Sequence, residues 1–149
     1  MNLELPIAVL MGGPGSERQV SIASGNAVVK ALREKGCIVE AVDVSGPDFT
    51  LPTGTALCFN VIHGTFGEDG TLQKILEAQN MPYTGAGAES SRVAFDKNLA
   101  KEKFVAAGVP TPLAEIVDVS QGVRLPEMPV PFVVKPPREG SSVGVQDRK

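Results

Sequence analysis

The first 85 residues switch repeatedly between a run of apolar positions and a helical spacing of them. Leu5 to Met11, LPIAVLM, is continuously apolar and stops at Gly12-Gly13-Pro14-Gly15. An unbroken apolar run of this length suits a strand buried on both faces, as in a parallel sheet. From Ser16, a candidate N-cap, Val20, Ala23, Ala27 and Leu32 fall on or near one helical face. Lys30, Arg33 and Lys35 crowd the far end and Gly36 stops the helix. Cys37 to Val44 alternates like a strand, and Thr55 to Gly64 reads as a further apolar strand. Leu72, Ile75, Leu76 and Ala78 then give a short amphipathic helix, and MPYTGAG a short strand or turn. The order β-α-β-β-α-β predicts an open α/β sheet of parallel type, with helices on both faces and right-handed crossovers.

After Ala88 the pattern changes. Ala88 to Gly108 reads as helical, with a break near Phe95 and Asp96, and Val109-Pro110-Thr111-Pro112 forbids continuation. Leu113 to Val119 is strand-like, and a second strand leads through Val133 to Lys135. This places a boundary near Gly85 to Ala88, with a first domain over 1–87 and a second segment over 88–149.

Composition narrows the classes. The 149 residues are 42% apolar and 21% charged, with a net charge of −3. That balance is ordinary for a globular chain and weighs against nucleic acid or an anionic membrane as partner. Cys37 and Cys58 each lie in a β-like run without metal-ligand spacing and read as reduced thiols. MNLELPIAVLMGG lacks a basic n-region and a small-residue cleavage site, and no apolar run approaches the roughly 20 residues of a bilayer span. A cytoplasmic, soluble protein is the expectation.

Three loops carry candidate chemistry. GGPGSERQVS leaves a strand and opens a helix, where ligands bind in open α/β sheets. The dinucleotide fingerprint G-x-G-x-x-G is absent there. Glu17 would repel a phosphate; it reads either as a first-turn acid favouring the helix dipole or as a receptor for a substrate ammonium. VIHGTFGEDG follows the third strand and holds the only histidine, His63. A lone histidine reads equally as a hydrogen-bonded rim residue or as a site residue. Glu68 and Asp69 are a paired-carboxylate site or, preferably, a helix start with Asp69 as N-cap. Both loops leave strand C-termini and should share one edge of the sheet. VVKPPREGSSVGV delivers Lys135 to Gly140-Ser141-Ser142-Val143-Gly144, whose amides and hydroxyls could cradle an anion. It is not a P-loop, and an exposed hairpin turn is the plainer alternative.

Together, GG with ERQVS, HGTFGEDGTLQ, PYTGAG, DKNLAK and KPPREGSSVGV, in that order and spacing, resemble the D-alanine–D-alanine ligase family of the ATP-grasp superfamily, from Ile7 to Val145. The resemblance implies a Rossmann-like pre-ATP-grasp domain followed by an incomplete α+β ATP-grasp central domain. It implies ATP and D-alanine as substrates, an acyl-phosphate intermediate, and a role in peptidoglycan synthesis. By the same resemblance Glu17 would hold the ammonium of the first D-alanine, and His63 would sit near that substrate's carboxylate. Lys97 and Lys135 would contact ATP phosphates. Ser141 would orient Glu17 and the substrates, and the Ser141 and Ser142 amides would cover the phosphates. Pro14-Gly15, Gln19 and Lys74 depart from the family's usual residues, which bears on fine substrate positioning. The family's chain continues well past Lys149, so the sequence reads as an N-terminal portion, inactive alone. The magnesium ligands would lie in the remainder, with none in this chain. A homodimer is the expected assembly. Two alternatives stay open: a D-alanine–D-lactate ligase, or a non-catalytic fragment that dimerises or binds a small anion.

Overall fold

The computed structural model describes residues 5–120 and 122–140. Its sheet is built around β1 (Ile7–Gly12), which pairs in parallel with β2 (Val39–Val44) on one side and β3 (Leu57–Asn60) on the other. Leu10 is level with Val42 of β2 and Asn60 of β3. A central parallel strand must be apolar on both faces, and β1 is buried from Ala8 to Gly12. Its side chains alternate between two layers. Ala8 and Leu10 pack with Val42, Val44 and Cys58 against Leu72 and Leu76 of α2 (Thr71–Ala78). Val9 and Met11 pack with Val39 against Val29 of α1 (Arg18–Glu34), with Ile22, Val28 and Leu32 at the margin. The sheet is therefore parallel and covered by a helix on each face, as the sequence pattern requires. A single parallel bridge from Cys58 to Tyr83 extends it beyond β3.

The face of α1 differs from the one the apolar spacing suggests. The buried line is Ser21, Gly25 and Val29, whereas Val20 is 58% exposed and Ala23 and Ala27 face outward. Small residues decide this. A Cβ on Gly25 would stand 2.6 Å from the Cβ of Met11, so glycine lets the helix backbone approach β1 closely. Apolarity alone misses a contact line made of serine and glycine.

The helix starts also shift. α1 begins at Arg18 with Glu17, not Ser16, in the N-cap position, and Glu17 makes no side-chain cap bond there. The N-cap of α2 is Gly70 at φ 88°, not Asp69. Asp69 sits one residue earlier and accepts hydrogen bonds from the amides of Phe66 (3.0 Å) and Thr71 (2.9 Å).

The helical stretch after Ala88 is indeed two helices, α3 (Ala88–Phe95) and α4 (Lys97–Ala106). The chain divides into two compact units between Phe95 and Asp96. In the first, α3 packs on α2, and the Ala88 amide donates to Glu77 Oε1 at 2.9 Å. In the second, α4 is followed by irregular chain to Gly140. The strands expected at Leu113–Val119 and Val133–Lys135 do not form among the described residues. A strand exists only through a partner's ladder, and these segments have none there; Leu113, Ile116, Val119, Val133 and Val134 stand exposed. Side chains hold the segment instead: Lys101 Nζ donates to Thr111 Oγ1 and the Pro112 carbonyl, and Arg124 pairs with Glu115 at 2.6 Å. Among the described residues no helix is long and apolar enough to cross a membrane.

Candidate functional site

The carboxyl ends of β1 and β3 release two loops side by side, and α1 binds both. Ser21, fully buried one turn after Glu17, accepts from the Gly12 amide (2.9 Å) and donates to the Val61 carbonyl (2.7 Å). One hydroxyl thereby fixes the end of β1 against the end of β3. Arg18 fastens the other side: its guanidinium donates to the Gly13 and Val44 carbonyls at 3.3 Å each and pairs with Asp43 at 2.6 Å.

The histidine loop is held from beneath by amide side chains. The Gly67 carbonyl accepts from Asn60 Nδ2 (2.9 Å) and from Gln73 Nε2 (2.8 Å), and Asn60 Oδ1 accepts from the Ile62 amide (2.9 Å). Phe66 takes φ 78°, an uncommon conformation for a bulky residue, and anchors it by burying its ring in the α2 layer. Asp69 restrains the same residue through its amide. Burial opposes the charge on Asp69, but the Phe66 amide and the Thr71 hydroxyl and amide hold its carboxyl below the usual range.

On this support Glu17 and the histidine loop meet. Gly64, adjacent to His63, has φ 68°, and a Cβ there would lie 2.8 Å from Glu17 Oε2. Glycine is thus required twice, for its backbone and for the room its missing side chain gives the carboxylate. His63 Nε2 is 3.4 Å from Ser24 Oγ, and its Nδ1 is 3.8 Å from Glu68 Oε1. The other Glu68 oxygen accepts from the Gly64 amide at 3.0 Å. Glu68 is therefore a companion of His63 and not half of an Asp–Glu dyad, since Asp69 is turned to the helix start. The arrangement offers a carboxylate, an imidazole and glycine backbone at the carboxyl edge of a parallel sheet, which suits a small zwitterion better than a phosphate.

Lys97 and Lys135 both belong to the second unit. Lys97 is half-buried in the first turn of α4, with its Nζ donating to the Glu139 carbonyl at 2.6 Å, and Lys135 is exposed. Ser141 and Ser142 lie outside the described residues. Ser21, Arg18, Asn60, Gln73 and the pairing role of Glu68 escape sequence reasoning. Only the serine closing ERQVS, four residues after Glu17, hinted at a second contact from α1. Among the described residues no group of three or more His, Cys, Asp or Glu side chains is placed to hold a metal ion.

Comparison with known proteins bears on the family and the fold. The family described as "D-ala D-ala ligase N-terminus" matches residues 47–86, which include the histidine loop and α2. The D-alanine–D-alanine ligase of Methylacidiphilum infernorum is 43% identical over 148 residues, covering 98% of this chain and 48% of that protein. The chain belongs to the D-alanine–D-alanine ligase family. It spans about half the length of the curated relatives it matches. The solved D-alanine–D-alanine ligase of Bacillus anthracis superposes with a TM-score of 0.75 at 33% identity, covering 95% of this chain and 48% of that one. The Helicobacter pylori ligase superposes with a TM-score of 0.77 over 96% of this chain and 56% of that one, and its 23% identity speaks for the fold alone.

Proposed function

We propose that this chain is the N-terminal part of an ATP-dependent D-alanine–D-alanine ligase serving peptidoglycan synthesis in the cytoplasm. The observation that carries the reading is the placement of the Glu17 carboxylate against Gly64, beside His63, at the carboxyl edge of the parallel sheet. Glu17 would receive the ammonium of the first D-alanine, and His63, backed by Glu68, would face its carboxylate. That carboxylate would attack the γ-phosphorus of ATP, releasing ADP and leaving an acyl phosphate. The amine of the second D-alanine would then attack the acyl carbon, expelling phosphate and forming the peptide bond. Bringing a carboxylate to a polyphosphate requires cations to offset repulsion, and Lys97 and Lys135 are the proposed donors to the phosphates. Ser141 would orient Glu17 and the substrates, and the amides of Ser141 and Ser142 would close over the phosphates. Magnesium is the proposed companion of ATP, and by the family resemblance its ligands would lie in the C-terminal half of the ligase. A homodimer is the proposed assembly, and the chain alone is proposed to be inactive.

The test is product analysis with the complete gene product that contains this segment. Incubation with ATP, magnesium and D-alanine should yield D-alanyl-D-alanine, ADP and phosphate in equal amounts. Failure to form the dipeptide would reject the reading, and preferential ester formation when D-lactate competes would replace it with a D-alanine–D-lactate ligase.

A further inference from the structure

A buried aspartate next to Lys97 fastens the Lys135 segment onto α4. Asp96 is 6% exposed and stands in the N-cap position of α4. Its two oxygens have different partners. Oδ1 accepts from the amides of Asn98 (2.9 Å) and Leu99 (3.3 Å), the usual work of a cap. Oδ2 accepts from Arg138 Nε at 2.8 Å, forty-two positions away in sequence. Two further bonds join the same stretches: the Lys97 amide donates to the Pro137 carbonyl at 3.0 Å, and Lys97 Nζ donates to the Glu139 carbonyl at 2.6 Å. Residues 137–139 are thus tied across the first turn of α4 by one main-chain bond, one lysine bond and one ion pair.

The asymmetry of the ion pair is informative. The Arg138 side chain is 73% exposed, whereas that of Asp96 is 8% exposed. An exposed pair on a mobile surface contributes little, but here one partner is rigid, buried and already committed to a helix cap. Arg138 is the exposed partner, and the buried Asp96 fixes where it docks. Lys135 lies three residues before Arg138, on chain with no strand ladder of its own among the described residues. The dock on α4 is therefore what sets the path of that chain close to Lys97.

We propose that Asp96 is a positioning residue for nucleotide binding, acting through Arg138 to hold the Lys135–Gly140 segment against α4 so that Lys97 and Lys135 present their ammonium groups together. This rests on the ligase reading for the identity of the anion, but the dock itself is a property of the second unit. Asp96 touches no substrate in this account. It acts on the preorganisation of two cations, which lowers the ordering cost that ATP would otherwise bear on binding.

Asparagine is as good an N-cap as aspartate. Asp96→Asn therefore keeps the cap of α4, while an amide NH2 replaces the charged Oδ2 acceptor that Arg138 meets. In the complete gene product, Asp96→Asn and Arg138→Gln should each raise the KM for ATP about five- to tenfold, the size of one ordinary hydrogen bond, because the effect on the nucleotide is indirect. The KM for D-alanine and the melting temperature should stay near those of the parent. The double variant should be no worse than the poorer single variant, because the two residues act as one unit. Equal rises in both KM values, fully additive losses, or an unchanged KM for ATP would each overturn the proposal. Lys135→Ala separates this outcome from failure of the ligase reading. If it weakens ATP binding while Asp96→Asn does not, the reading stands and the dock has no role. If the parent forms no dipeptide, the reading itself has failed.

Discussion

Ser21→Ala isolates the hydroxyl that joins the two site-bearing strands. The substitution removes one oxygen from a fully buried position and changes the shape of the core very little. It strips the Gly12 amide of its 2.9 Å acceptor and the Val61 carbonyl of its 2.7 Å donor. Leaving a buried polar group unpaired costs about 1–3 kcal/mol. The Val61 end is only partly buried and water can satisfy some of it, so the sum is about 2–4 kcal/mol. With a urea dependence of about 1.5 kcal/mol per molar for a unit of this size, the midpoint should fall by about 1–3 M. The chain supplies its own probe: it has no tryptophan and one tyrosine, Tyr83, which lies in the first unit. Tyr83 donates to Glu77 Oε1 at 2.6 Å in the folded state, so its fluorescence changes when that unit opens. Ser16→Ala, at an exposed position, is the control and should stay within about 0.5 kcal/mol of the parent. A Ser21→Ala midpoint as close to the parent as that control's would refute the view that this hydroxyl clamps the two strands.

Other expectations follow from single contacts. Gly64→Ala should cost about 1 kcal/mol of stability for its left-handed backbone, and its methyl group would push Glu17 aside; in the complete gene product the KM for D-alanine should rise about ten- to a hundredfold with that for ATP unchanged. Asp69 is held more acidic when folded than when unfolded, so its stabilisation is complete above the unfolded value of about 4 and is lost as pH falls through the folded value. The urea midpoint of Asp69→Asn should accordingly depend less on pH below about 4 than that of the parent; identical slopes would exclude this role. Burial pushes the Cys58 thiol up to about 11, so iodoacetamide at mildly alkaline pH should modify half-buried Cys37 in the native chain and reach Cys58 only on unfolding, as peptide mapping would show.

The architecture of the first unit was legible because parallel strands buried on both faces must be apolar throughout. Ile7–Gly12 satisfies that without ambiguity, and His63 and Glu17 could be assigned to one edge because both follow strand C-termini. The line of contact on α1 was not legible, because Ser21 and Gly25 carry no apolar signal. One is buried by its hydrogen bonds and the other by its lack of a side chain. The cap of α2 was missed by one residue, since Asp69 and Gly70 share the task and propensity favours the aspartate. The strands read at Leu113–Val119 and Val133–Lys135 show the opposite error. β-Branched residues mark the capacity to pair, but a ladder also needs a partner, and the described residues of the second unit provide none. The support under the histidine loop, from Asn60 and Gln73 to one carbonyl, depends on a fold that no local window contains.

The most direct test of the central claim is the effect of Glu17→Gln on the steady-state kinetics of the complete gene product. The change keeps the size of the side chain and removes the charge proposed to meet the substrate ammonium. The KM for the first D-alanine should rise at least about tenfold, as expected for the loss of a charge-assisted hydrogen bond, while the KM for ATP stays within about twofold. An unchanged KM for D-alanine in an enzyme that still forms the dipeptide would show that the carboxylate beside Gly64 does not hold the substrate.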